Sequence, residues 1–140
     1  PRLDLEDAAS HAENPAACKG EGMSEEAHLK YRYILALEGV DVASNLKWVM
    51  SSNCIAVMPR PTYETWFMEG TRIPNYQYIE IKPDYSDLLE RTQYYTDHPD
   101  EAEAIIRHAH EYVEQCNNTE RENLISLILL DRYFRMTGQK

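Results

Sequence analysis

Tyr31-Arg32-Tyr33-Ile34-Leu35-Ala36-Leu37-Glu38-Gly39-Val40-Asp41-Val42-Ala43-Ser44-Asn45-Leu46-Lys47-Trp48 is the stretch that decides the fold. Its first seven residues, aromatic and branched, read as a strand stopped by Gly39. Beyond the glycine the period changes. Val42, Leu46, Val49 and Met50 fall at helical spacing behind Asp41, the expected N-cap. A strand, a glycine turn and a helix in that order make the opening of a parallel α/β unit.

The downstream sequence continues the alternation. Cys54-Ile55-Ala56-Val57-Met58 is an unbroken apolar run ended by Pro59 and Pro61, the mark of a strand buried on both faces of a parallel sheet. A short helix is expected around Tyr63 to Glu69, then a third strand, Tyr78-Ile79-Glu80-Ile81, ending before Pro83. The remainder is helical. Tyr85, Leu88, Thr92 and Tyr95 share a face behind Asp84. Pro99 suits the first turn of a helix carrying Ala102, Ile105, Ile106, Ala109, Val113 and Cys116. Thr119-Glu120-Arg121-Glu122 reads as a capping box for a last helix through Leu124, Ile125, Ile128 and Leu129 to Gly138.

Upstream, residues 24–30 suit a short helix capped by Ser24, with Glu25 and Glu26 in its first turn. Residues 1–23 are irregular and read as a linker or the remnant of a preceding half. The chain opens at Pro1 and runs straight into Leu3-Asp4-Leu5, as the middle of a larger protein would. The expected domain is therefore 24–140.

In 140 residues, 14 basic side chains face 24 acidic ones, a net charge of −10. Such a surface lacks the clustered Lys and Arg of a nucleic-acid or anionic-lipid binder. A nucleotide remains compatible with it, because distant charges are screened within about 8 Å at physiological salt. Cys18, Cys54 and Cys116 are odd in number and widely spaced, so neither a disulfide framework nor a zinc knuckle is written here. No apolar run approaches the length of a membrane span, and the start carries no signal-peptide core. His11, His28, His98, His108 and His110 have no metal-ligand spacing; His108 and His110, two apart on a helix, diverge by about 200°. No metal site and no bound cofactor are expected.

In parallel α/β sheets ligands usually bind beyond the carboxyl ends of the strands, where Gly39 and Pro59 to Pro61 lie. Gly39 permits close approach to backbone, the following helix start offers amides to phosphate, Ser44 adds a hydroxyl and Lys47 a cation. Against this, GxGxxG spacing is absent, Asp41 would repel an anion unless turned into its cap, and the same turn occurs in α/β proteins that bind nothing there. Glu64 is a candidate for ribose hydroxyls. Glu69 reads as an exposed helix carboxylate, and Trp66 and Phe67 as core more readily than as a sugar platform.

The runs Lys30 to Gly39, Asp41 to Trp48, Ser51-Ser52-Asn53, Pro61-Thr62-Tyr63-Glu64-Thr65-Trp66-Phe67-Met68-Glu69-Gly70, Ile73-Pro74-Asn75-Tyr76, Tyr78 to Ile81 and Asp84-Tyr85-Ser86-Asp87-Leu88 follow one another in a linked order. In that order they resemble the bacterial lipopolysaccharide-type members of glycosyltransferase family 90, which also holds protein O-glucosyltransferases and fungal capsule-associated xylosyltransferases. The resemblance covers Ser24 to Gly138. It implies the C-terminal, Rossmann-like half of a GT-B-like enzyme, holding a nucleotide sugar, usually a UDP-sugar, as donor substrate. It places the turn Gly39, Val40, Asp41 and Ala43, with Ser44, Asn45 and Lys47, at the diphosphate, and Tyr63 and Glu64 beside the nucleoside or sugar. Where Val40 stands the family often has Asn, so one polar contact to the donor is missing or altered.

The resemblance further implies an inverting transfer to a lipopolysaccharide or other glycan, in the cytoplasm or peripherally at the inner membrane. The base would belong to an N-terminal half outside this chain, so no catalytic residue is expected within it. A different class of reading stays open: a non-catalytic α/β interaction module derived from a transferase half, assembling through its helical C-terminal tail.

Overall fold

The computed structural model describes residues 23–139, which belong to two compact units divided between Lys30 and Tyr31. In the first unit, helix α1 (Glu25–His28) begins as expected: the Ser24 hydroxyl accepts the Ala27 amide at 3.3 Å, with Glu25 and Glu26 in the first turn. The expected linker up to residue 22 lies outside the described residues.

The second unit is built on three parallel strands, β1 (Tyr33–Leu35), β2 (Ile55–Met58) and β3 (Ile79–Glu80), in the order β1-β2-β3. Tyr33 pairs with Ile55 and Leu35 with Val57; Val57 pairs in turn with Ile79. Every residue of β2 is buried, as its unbroken apolar run requires of a central parallel strand. Strand alternation divides the core between the two faces of the sheet. Ile34, Ala56 and Met58 join one cluster, and Ile55, Val57, Ile79 and Ile81 the other. β1 is shorter than the sequence pattern predicts, because pairing stops with the amide of Ala36 on Val57 O and both Tyr31 and Leu37 are exposed.

Helix α2 (Leu46–Met50) covers the first cluster through Leu46, Val49 and Met50. It starts four residues later than Asp41 would have it. The Asp41 carboxylate is turned onto the next amide, Val42 N, at 2.7 Å, and caps nothing. Asn45 occupies the N-cap position, but its side-chain amide donates to Leu35 O at 2.8 Å, fastening the helix entry to the end of β1.

The helix expected over Tyr63 to Glu69 does not form. The chain runs irregularly, turns at Trp66 and Phe67, takes a left-handed step at Met68 (φ 55°) and closes in a 3₁₀ turn, Glu69–Thr71. Helix α3 (Leu88–Asp97) begins after Asp87, and Asp84 instead accepts the Ser86 amide at 3.1 Å. Helix α4 (Pro99–Cys116) carries Pro99 in its first turn as the pattern predicts. Its Ala102 and Ile105 pack into the second cluster with Tyr95, while Ala109, Tyr112 and Val113 reach the first. Helix α5 (Thr119–Thr137) is capped by Asn118, whose side chain accepts the Arg121 amide at 3.0 Å, so Thr119 is its first residue and not its cap. The helix ends, as expected, at Gly138, which takes the left-handed conformation (φ 67°).

Ile79 is fully buried whereas Leu127 on α5 is 64% exposed. Ile79→Ala is therefore expected to cost about 2–5 kcal/mol in urea unfolding, and Leu127→Ala under about 0.5 kcal/mol, in this chain.

Candidate functional site

Parallel pairing sends the segments after β1 and β2 out of the same edge of the sheet, and one carboxylate joins them. Glu38 accepts the Thr62 amide at 3.0 Å and the Tyr63 amide at 3.1 Å through Oε1, and the Thr62 hydroxyl through Oε2 at 2.5 Å. Three donors on one carboxylate make a charge-assisted clamp between loops 24 residues apart. The sequence pattern assigned Glu38 no role, and an acidic residue after an apolar strand carries no signal of so distant a partner.

Within the clamped pair, the Gly39 amide donates to Asp41 O at 3.1 Å. Nothing lies within 4 Å of where a Gly39 Cβ would stand, and the residue is not left-handed, so the glycine leaves open space at the turn. Val40 is fully exposed, Ala43 buried and Ser44 exposed. Val42 N is taken by Asp41, but the amides of Ala43, Ser44 and Asn45 make no hydrogen bond among the described residues. Three adjacent N–H groups ahead of α2 thus have no hydrogen-bond partner among the described residues, the first of them on the buried Ala43. The five-residue helix behind them supplies less dipole than the longer helix expected from Asp41 would.

Lys47 points from α2 toward the second loop. Its ammonium lies 5.1 Å from the Trp66 ring centroid and 5.8 Å from that of Phe67. Phe67 is core, as expected, but Trp66 is 66% exposed and presents most of its surface to solvent beside the lysine. Tyr63 and Glu64 are exposed; Glu64 Oε1 lies 3.3 Å from the position a Gly70 Cβ would take, so a larger residue there would shift this carboxylate by a few tenths of an ångström.

The Trp66 loop is held from beneath by a pair of buried charges. Glu69, expected to be an exposed helix carboxylate, is only 2% exposed and accepts the Thr65 amide at 2.6 Å and the Thr65 hydroxyl at 2.9 Å. Arg72, also buried, stacks 4.3 Å over Phe67 and donates to Phe67 O and Glu69 O, both at 3.2 Å. From α4 the Tyr112 hydroxyl donates to Phe67 O at 2.6 Å. Burial pushes the Glu69 pKa up, but the Thr65 amide, its own amide, the Thr65 hydroxyl and the Arg72 charge together carry it below the ordinary value. Burial lowers the Arg72 pKa against the pull of Tyr112 and Glu69.

Elsewhere His108 and His110 serve the scaffold. His110 Nε2 lies 2.8 Å from Ser52 O, and His108 stacks on Tyr76 with ring centroids 3.7 Å apart. Among the described residues no group of three His, Cys, Asp or Glu side chains could hold a metal ion. A cavity of about 460 Å³ is lined by Glu111, Glu114, Gln115, Asn118 and Arg121, none of which belongs to the two clamped loops.

A three-stranded parallel sheet with apolar cover on both faces and paired polar loops at its carboxyl edge makes this an α/β protein, consistent with a Rossmann-like fold. Residues 6–137 match the model of glycosyl transferase family 90, and the chain belongs to that family. It is 43% identical over 116 residues, 83% of its length, to a protein named O-glucosyltransferase LpsA from Dichelobacter nodosus, of which it spans 36%. It is also 29% identical over 94 residues, 62% of its length, to uncharacterized protein 179R of Invertebrate iridescent virus 6, of which it spans 8%. No solved structure matches the chain significantly.

Two outcomes follow from the clamp and the buried pair. Glu38→Ala should cost about 1–2 kcal/mol and speed hydrogen exchange at the Thr62 and Tyr63 amides. Because the folded pKa of Glu69 is depressed, its contribution is present above the unfolded carboxylate value of about 4.3 and is lost as pH falls through the folded value. Unfolding free energy measured between pH 6 and pH 3 should therefore decline less steeply below about pH 4.3 in Glu69→Gln than in the parent chain.

Proposed function

We propose that this chain is the donor-binding half of an inverting glycosyltransferase, and that the three unbonded amides of Ala43, Ser44 and Asn45 receive the diphosphate of a nucleotide sugar. They are the observation that carries the reading. Adjacent N–H groups at a helix entry suit an anion, and the Ser44 hydroxyl and Lys47 ammonium supplement them. Gly39 and Val40 border the approach. Tyr63 and Glu64, on the loop clamped by Glu38, suit the nucleoside or sugar, with Glu64 accepting from ribose hydroxyls. Trp66 offers an apolar face beside Lys47.

The donor proposed is a UDP-sugar, and the relative named as an O-glucosyltransferase makes glucose the first sugar to try. The acceptor is a lipopolysaccharide or another glycan, met in the cytoplasm at or near the inner membrane. Among the described residues no helix is long and apolar enough to cross a membrane. The intact enzyme is GT-B-like. In it a carboxylate of the N-terminal half takes the proton of the acceptor hydroxyl as that oxygen bonds to the anomeric carbon. The bond from that carbon to the diphosphate breaks, and the leaving charge is stabilised by amides and cation. This chain's share is binding and leaving-group stabilisation, so alone it should bind UDP weakly and transfer nothing.

Asp41 separates this reading from a generic turn, because its carboxylate sits on Val42 N next to the proposed anion. Calorimetric titration with UDP is expected to show affinity rising in Asp41→Asn and falling in Lys47→Ala. Each change should be roughly two- to fivefold, as exposed helix-terminus charges of about 0.3–1 kcal/mol require. Unchanged affinity in both variants would remove the diphosphate from this turn.

A further inference from the structure

The segment Pro59-Arg60-Pro61 lies at the carboxyl end of β2, where ligands of parallel sheets collect, and none of its residues belongs to the diphosphate turn. It is fixed at both ends. Met58 O accepts the Ile81 amide at 3.1 Å, and the Thr62 and Tyr63 amides sit on Glu38. The two prolines hold their own φ at about −65°, and Pro61 biases Arg60 away from helical backbone. Arg60 is exposed and makes no ion pair or hydrogen bond among the described residues. A cation on so short and firmly held a span loses little backbone freedom on meeting an anion.

One electrostatic interaction sets its side of the sheet. The Tyr78 hydroxyl donates to Glu80 at 3.0 Å; burial and that bond push its pKa up, and the Arg60 charge pulls against both. Tyr78 shares its core cluster with Ala43, Leu46 and Phe67. The charge of Arg60 is thus felt on the face that carries α2 and the amides ahead of it.

The charge balance at this edge favours a second cation. Along residues 38–47 and 59–66 stand Glu38, Asp41 and Glu64 against Lys47 and Arg60. Glu38 is occupied by three donors and Asp41 by one amide, but both charges stay beside the turn. With Lys47 alone, a diphosphate would meet more negative charge than positive. Other cations stand elsewhere. Arg72 is buried and donates to Phe67 O and Glu69 O, Lys82 follows β3, one strand further from the amides, and Arg32 precedes β1 at the opposite edge.

We propose that Arg60 is the second cation of the donor site, gripping the diphosphate from the β2 loop while Lys47 and the Ala43 to Asn45 amides meet it from α2. The proposal rests on the reading of that turn as the donor site. β1 and β2 are neighbours, and paired strands lie about 4.8 Å apart, so one diphosphate spans their exits. The guanidinium presents parallel N–H donors that match phosphate oxygens. It also keeps its proton at physiological pH, so it neutralises the leaving diphosphate without serving as its acid.

The test is a ¹⁵N-resolved titration of this chain with UDP and with inorganic pyrophosphate, in the parent, Arg60→Ala, Arg60→Lys and Lys47→Ala forms. Arg60→Ala is expected to weaken both ligands about tenfold, as loss of a charged hydrogen-bonding partner requires. Arg60→Lys should recover part of that loss, since the charge returns without the fork. The side chain is exposed, so each variant should keep the amide spectrum of the parent outside the two loops. Affinity unchanged in Arg60→Ala but reduced in Lys47→Ala overturns the role of Arg60 and leaves the donor turn standing. Weakened UDP with unchanged pyrophosphate overturns it too, because Arg60 then serves the nucleoside. A parent chain whose turn ignores both ligands fails the donor site itself, and Arg60 with it.

Discussion

The burial of Ile55 to Met58 on both sides is the constraint from which the rest of the second unit follows. Four apolar side chains in succession leave no face for solvent, so the strand must lie between two layers and its backbone groups between two neighbours. β1 and β3 supply the neighbours, and α2, α3 and α4 supply the layers. Because all three strands run parallel, the segments following β1 and β2 are delivered to one edge. Glu38 can then reach Thr62, and Lys47 can approach Trp66. The site is a consequence of strand direction before it is a set of residues.

What could be read from the chain was what is encoded by neighbours. The β2 run ends at Pro59, Pro99 opens α4, and the helical spacing of Ala102, Ile105 and Ala109 places that helix on the core. Local competition defeated the finer readings. Asp41 bonds its neighbour's amide and so surrenders the helix start, and Asn118 and Thr119 are both good caps standing side by side. Long-range bonds defeated the rest. The Tyr63 to Glu69 segment is shaped by Arg72 stacking on Phe67 and by Tyr112, 45 residues away, reaching the Phe67 carbonyl. Helical spacing cannot foresee a loop nailed down from another helix.

The candidate site was legible to a similar depth. Gly39, Ser44 and Lys47 stand around the turn where strand-end reasoning places a ligand, and membership of the family makes a nucleotide sugar the ligand we propose for it. Asp41 does not disappear into a helix cap as anticipated; its carboxylate remains at the turn, satisfied by one amide. Glu38 and Arg72 escaped notice and Glu69 was misjudged as exposed because their partners lie elsewhere in the sequence or inside the loop's own curl. They bind nothing in this account. They hold Thr62, Tyr63 and Trp66 in position, which is why an exposed tryptophan can stand on a rigid base.

The central claim is that the Ala43 to Asn45 amides accept a diphosphate. A ¹⁵N-resolved titration of this chain with UDP tests it most directly. The account predicts saturable shifts centred on the Ala43, Ser44 and Asn45 amides, with smaller ones at Tyr63 and Trp66. Shifts confined to the Glu111–Arg121 cavity, or an unmoved turn at saturating UDP, would contradict it.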